Sequence, residues 1–154
     1  NKINMNNISK FLTKKSIVVN YDSKSQKNAL EMISKKMSQL APVDENEIFE
    51  KLYQREKLGT TAFGNGIAIP HARVEGIKDA YIIILKLETA IDFNSIDNSK
   101  VDIIMSLLVP NDENDVHIEL LSSIASLLDN KVFREKIRAA DTADEIINII
   151  LNSG

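Results

Sequence analysis

The chain has 154 residues, 44% of them hydrophobic and 27% charged, a composition typical of one globular domain. Its formal net charge is −3, so no basic excess indicates nucleic acid or an anionic membrane surface as a partner. The chain has no cysteine, which excludes disulfides, thiolate nucleophiles and thiolate metal ligands and fits a reducing compartment. No apolar run approaches the ~20 residues that span a bilayer, so membrane insertion is not expected.

The N-terminal half predicts a tail followed by alternating strands and helices. Apolar residues recur at helical spacing after residue 23, Pro42 ends that helix, and Asp44 is a suitable N-cap for the next one. Gly59 fits the C-terminal end of the second helix. In chain order, the predicted elements are a flexible tail at 1–6, a strand at 17–19, helices at 23–40 and 44–59, and a short strand at 67–69.

The C-terminal half predicts two longer strands and three helices. The strands are apolar along most of their length, which is typical of strands buried on both faces. In chain order, the predicted elements are a strand at 81–87, a turn-rich linker at 88–100, a strand at 101–109, and helices at 116–129, 131–139 and 143–151. We therefore expect a single α/β domain at 7–154, with a mixed parallel and antiparallel sheet flanked by helices on both faces.

Two histidines are the main candidates for chemistry. His71 follows Pro70, which ends the ladder of the short strand at 67–69, so we place the histidine just past a strand end. A neutral imidazole is a good nucleophile near pH 7 because its pKa lies close by. From spacing alone, an ordered loop histidine without a role is the favoured explanation, since lone histidines are common.

Three further side chains are candidates for binding an anion near His71. His117 shares a helix face with Leu121, so it is either a core-edge histidine or a hydrogen-bond donor that reaches His71. Arg55 lies near the inward face of its helix, where a guanidinium snorkels, pairs with a carboxylate or binds phosphoryl oxygens. Arg73 is a second arginine candidate because it is close to His71 in sequence.

Other catalytic patterns are absent from the sequence. Two histidines lack HxH or HExxH spacing, so we expect no metal site. The glycine-containing run at 63–66 has no lysine and no serine or threonine, so it is a turn and not a phosphate-binding P-loop. Ser122 and Ser123 lie in a predicted helix without a nucleophile-elbow pattern around them.

Residues 59–71 closely resemble the type-2 enzyme IIA domains of the phosphoenolpyruvate-dependent phosphotransferase system. The core of the signature is the apolar-Ala-apolar-Pro-His ending, here Ile-Ala-Ile-Pro-His at 67–71. The likeness extends over nearly the whole chain from Ile8. Residues 87–89, 93, 96–98, 107–110 and 138–140 are most similar to the nitrogen-regulatory branch, although sugar-specific members share many of them.

The resemblance implies a cytoplasmic phosphohistidine carrier. It implies that a histidine phosphocarrier protein donates a phosphoryl group to His71, and that His117 and Arg55 stabilise that group, with no cofactor. The partners that follow are regulated target proteins or, in the sugar-specific alternative for fructose or mannitol, an enzyme IIB cysteine. A non-catalytic binding module is the third alternative.

Overall fold

The computed structural model describes residues 8–112 and 115–153, so the predicted tail lies outside the described residues. The described residues contain five α-helices and a five-stranded sheet, which confirms the predicted α/β class. The strands are β1 (Ile17–Tyr21), β2 (Ile67–Ala68), β3 (His71–Val74), β4 (Tyr81–Ile91) and β5 (Val101–Pro110). The helices are α1 (Gln26–Leu40), α2 (Glu45–Leu58), α3 (Asp115–Asp129), α4 (Lys131–Ala139) and α5 (Ala143–Leu151).

Short polar side chains begin four of the helices. Ser25, Asp44, Asn130 and Thr142 each accept a hydrogen bond from a backbone N–H in the first turn of the following helix. Such caps satisfy amides that have no partner within the helix. Within the described ranges, none of the helices combines the length and the apolar character that a membrane crossing requires.

The sheet is mixed, as predicted. β4 pairs antiparallel with β5, whereas β1 runs parallel to β4, and β2 and β3 run parallel to β5 along the same edge. One prediction was wrong: β4 continues to Ile91 and takes in the first residues of the expected linker at 88–100. The pairing of Ile91 with Val101 explains the extension, because this cross-strand contact holds the end of β4 on β5 beyond the point where the sequence becomes polar.

Helices cover both faces of the sheet, and each face has its own apolar core. On β5, Ile104 and Leu108 pack on the side of α1 and α2, whereas Ile103, Met105 and Leu107 pack on the side of α3, α4 and α5. Successive side chains of a strand point to opposite faces, so a strand that is buried on both faces is apolar throughout. Both residues of the edge strand β2 are buried, whereas β3 is buried on one face only: Ala72 and Val74 pack in the core, while His71 is half-buried and Arg73 is exposed.

Candidate functional site

The edge of the sheet is interrupted between β2 and β3. Pro70 has no backbone N–H, so the strand cannot continue its ladder unbroken, but the Pro70 carbonyl still accepts from the Leu107 N–H at 3.0 Å. His71 then begins β3, where it pairs with Leu107 of β5. His71 thus follows the end of β2, as predicted, but it is also the first residue of a further strand that the sequence did not predict. The histidine is held by sheet pairing on a short edge strand and is half-buried.

The backbone around this break fixes the His71 ring. Nδ1 lies 2.8 Å from the carbonyl oxygen of Ile69. A carbonyl oxygen can only accept, so in the neutral ring the hydrogen is on Nδ1 and Nε2 is the deprotonated nitrogen. The contact therefore selects the tautomer in which Nε2 has the nucleophilic lone pair.

A cleft of about 400 Å³ lies beside His71, between α2, β3 and α3. It is lined by Lys51, Gln54, Arg55, Leu58, His71, Ala72, Arg73, Val109 and Leu121. Among the residues that the structure describes, the lining contains three cationic side chains and no carboxylate. Arg73 is on the same face of β3 as His71, because the two are separated by one residue in an extended strand. A cationic concave surface next to an imidazole is suited to a bound anion.

Arg55 is brought to the cleft by the last turns of α2. Its Nη1 donates a hydrogen bond of 2.8 Å to the Gly59 carbonyl, so the side chain caps its own helix. A guanidinium has five N–H donors, so a capping bond leaves it able to bind oxygens of a ligand in the cleft. The structure therefore brings three of the four candidates named from the sequence, His71, Arg55 and Arg73, to one cleft.

His117 lies in the first turn of α3 and only 9% of its surface is exposed. Leu121 is one helical turn further along α3 and lines the cleft. The predicted position of His117 on the helix face that it shares with Leu121 is therefore confirmed, and the residue is close in the fold to one wall of the cleft. Its role in binding an anion stays a prediction.

Sequence reasoning missed Glu56, a carboxylate in the apolar stripe of α2. Glu56 is only 8% exposed, and it accepts hydrogen bonds from the backbone N–H and the hydroxyl of Thr61. Burial raises the pKa of the Glu56 carboxyl above its ordinary value, and the bonds from Thr61 only partly offset that effect. The available signal was the four-residue spacing of Ile48, Leu52 and Glu56, which puts all three on the buried face.

The glycine-containing turn that precedes β2 is held by residues distant in sequence. The carboxylate of Asp97 accepts from the Asn65 N–H at 3.1 Å, and Arg138 donates to the Asn65 carbonyl at 2.7 Å. Arg138 also forms an ion pair with Asp102 at 2.9 Å. Gly66 has φ +76°, and a Cβ there would approach Arg138 Nη2 to 2.5 Å, so this position requires glycine.

Three comparisons place the chain among known proteins. A nitrogen regulatory protein of Pseudomonas aeruginosa is 39% identical over 146 residues, which is 94% of this chain and 95% of that protein. The crystal structure of nitrogen regulatory protein IIA-Ntr from Neisseria meningitidis has a TM-score of 0.89 at 31% identity, covering 93% of this chain and 98% of that one. Mannitol enzyme IIA of Escherichia coli, solved in complex with phosphorylated enzyme IIB, has a TM-score of 0.75 at 17% identity, covering 91% and 96%, and shares the fold.

The family of the chain is shown by a family model that matches almost all of its length. The model of the family described as phosphoenolpyruvate-dependent sugar phosphotransferase system, EIIA 2, matches residues 10–153. That range includes the whole sheet, the cleft and all four candidate residues. The resemblance seen in the sequence is thereby confirmed: the chain belongs to the EIIA type 2 family of the phosphoenolpyruvate-dependent phosphotransferase system.

Proposed function

We propose that the chain is a phosphohistidine carrier that accepts a phosphoryl group on Nε2 of His71 from a histidine phosphocarrier protein. The observation that carries this proposal is the hydrogen bond from Nδ1 of His71 to the Ile69 carbonyl. It leaves Nε2 as the nucleophile of a ring that adjoins a cationic cleft. The family supplies the reaction class, since its members belong to a phosphotransferase system.

The transfer is an in-line displacement at phosphorus. The Nε2 lone pair of His71 forms the new N–P bond while the N–P bond of the donor breaks and returns its electron pair to the donor's ring. The His71 ring gains positive charge as the bond forms. The Nδ1–H bond to Ile69 strengthens with that charge, so the carbonyl stabilises the transition state more than the ground state.

The other candidates act on the oxygens of the phosphoryl group. In this proposal Arg55 donates to them from the cleft wall, and His117 donates from the first turn of α3. Transfer between two imidazoles requires positioning and charge stabilisation but no electron transfer, so the proposal includes no metal or organic cofactor. The phosphoryl group adds a charge of about −1.5 to −2 near neutral pH, which changes the surface that a partner meets.

The regulatory role is the first of two candidate uses of the phosphoryl group. Identity and TM-score are 31% and 0.89 against the nitrogen regulatory structure, but 17% and 0.75 against the mannitol protein. This difference favours a cytoplasmic regulator whose phosphorylation state biases its binding to target proteins. In the sugar-specific alternative the group passes to an enzyme IIB cysteine, as the mannitol complex illustrates for that protein. A binding module with an inactive site is the third possibility.

The proposal is tested by incubating the protein with phosphoenolpyruvate, enzyme I and the histidine phosphocarrier protein. We expect one added phosphate by intact mass, stable in alkali and labile in acid, because an N–P bond has those properties. The control omits only the phosphocarrier and should give no label. Failure to accept phosphate from any cognate donor would favour the binding module. Onward transfer to an enzyme IIB cysteine with formation of a sugar phosphate would favour the transport role over regulation.

His117→Ala should slow phosphoryl acceptance by about tenfold while His71 remains the modified residue. The expected loss corresponds to one hydrogen bond to the transferred group, about 1.4 kcal/mol. Rates are measured by quenched-flow sampling at saturating donor, and thermal unfolding shows whether the variant is folded. A folded variant with an unchanged rate would remove His117 from the mechanism.

A further inference from the structure

The buried carboxylate of Glu56 meets donors from three separate groups. Oε2 accepts from the Thr61 N–H at 3.2 Å and from Gln26 Nε2 at 3.3 Å, and Oε1 accepts from the Thr61 hydroxyl. Burying a carboxylate is costly unless it is hydrogen-bonded in this way. Glu56 immediately follows Arg55, yet it does not line the cleft, and its partners are Gln26 at the start of α1 and Thr61 in the loop after α2. Of these two partners, Thr61 is the one that lies between α2 and β2, on the segment that leads to His71.

Thr61 connects this carboxylate to the backbone beside the active imidazole. The Thr61 carbonyl accepts from the Ile69 N–H at 3.2 Å, and the carbonyl of Ile69 is the one that accepts from His71 Nδ1. Ile69 lies in the break between β2 and β3, and Pro70 after it has no N–H to donate. The hydrogen bond that Ile69 donates to the Thr61 carbonyl therefore satisfies the Ile69 N–H in place of a strand partner.

We propose that Glu56 is a positioning residue for His71: it holds Thr61, which holds Ile69, whose carbonyl fixes the imidazole with its hydrogen on Nδ1. The consequence for phosphoryl transfer rests on the proposed function, whereas the tautomer is a property of the unphosphorylated protein. Loss of the carboxylate frees the loop, lets Ile69 reorient, and allows the hydrogen to move to Nε2. A ring in that tautomer has no lone pair on Nε2.

A purely structural role for Glu56 predicts a different result. A residue that only stabilises the loop lowers the melting temperature when it is removed, but the folded fraction keeps one His71 tautomer. A positioning residue changes the tautomer within folded molecules. Long-range ¹H–¹⁵N correlation spectra of the two histidine rings separate these cases, and His117→Ala assigns the signals.

The variants are Glu56→Ala, Glu56→Asp and Glu56→Gln, with Glu50→Ala as the matched control on the exposed face of the same helix. We expect both His71 tautomers in the alanine and aspartate variants, because neither side chain reaches Thr61. We expect one tautomer in Glu56→Gln, whose amide oxygen still accepts from the Thr61 N–H and whose NH₂ donates to its hydroxyl. The control should be indistinguishable from wild type.

Phosphoryl acceptance provides the second measurement. It should fall by about tenfold in Glu56→Ala and Glu56→Asp, because the competent fraction of rings decreases, and recover in Glu56→Gln. Should Glu56→Ala not fold, the aspartate variant and Thr61→Val carry the same test. A single Nδ1–H tautomer in folded Glu56→Ala or Glu56→Asp overturns the proposal. Absence of phosphorylation in wild type together with the expected tautomer change would refute the proposed function but not the positioning role.

Discussion

His71→Gln should abolish phosphoryl acceptance, with a loss of more than about 10³-fold. The glutamine amide is close to imidazole in size and is polar, but its nitrogen lone pair is delocalised and does not attack phosphorus. The measurement is the added mass of the intact protein after incubation with phosphoenolpyruvate, enzyme I and the phosphocarrier. Thermal unfolding confirms that the variant is folded, which we expect because His71 is only half-buried.

The chain offers an internal control for this experiment, since it has one other histidine. Glutamine at His117 should leave a labelled protein, with the phosphate located on the peptide that contains His71. Labelling of folded His71→Gln at the wild-type rate would contradict the assignment. Label on His117 in that variant would show instead that the two imidazoles exchange roles, and the proposed geometry would then be wrong.

Much of the fold could be predicted because its signals are local. The cap Asp44 precedes a helix with an apolar stripe, and Ile, Val and Leu fill strands that are covered on both sides. A helix cap depends on residues in the same turn, and an apolar strand can be buried by any apolar surface, so both signals are visible in the local sequence. The class, the mixed sheet and the helices on both faces are therefore confirmed.

The features that were wrong or missed depend on contacts distant in sequence. β4 extends into the predicted linker because Ile91 pairs with Val101, and the turn at Asn65 is held by Asp97 and Arg138. Nothing near either end of these contacts identifies its partner. Tertiary pairing decides such positions, and local propensity does not.

For the candidate site too, part of the evidence is in the local sequence and part is in contacts that only the fold shows. Spacing left His71 open between a nucleophile and an ordered loop histidine, and only the resemblance of residues 59–71 to a family favoured the nucleophile. The structure adds the Ile69 carbonyl and the cleft with Arg55, which give that assignment a physical basis. The link through Glu56 and Thr61 was beyond sequence reasoning, because burial of the carboxylate is explained only once its donors are known.

Arg55→Gln should lower the rate of phosphoryl acceptance by about a hundredfold, which is the usual cost of removing one charged donor from a developing oxyanion. Arg55→Lys should recover part of that rate, because an ammonium keeps the charge but not the planar pair of donors. Lys57→Gln is the matched control: it removes a cation from the same helical turn, but Lys57 does not line the cleft. The rates are measured at saturating donor, so that weaker docking is separated from slower transfer.

Substitutions of the other cations in the cleft show whether Arg55 acts by direct contact with the phosphoryl group or only by its charge. Lys51 and Arg73 line the same cleft, and each is changed to glutamine in parallel. If the cleft acts only through its summed positive field, the three substitutions lower the rate by similar factors, and the loss shrinks as salt is added. If Arg55 binds the phosphoryl oxygens directly, its substitution dominates and the loss persists at high salt, because a contact at hydrogen-bond distance is poorly screened. We expect the second result, since the bond from Nη1 to Gly59 holds the guanidinium in place before the donor arrives.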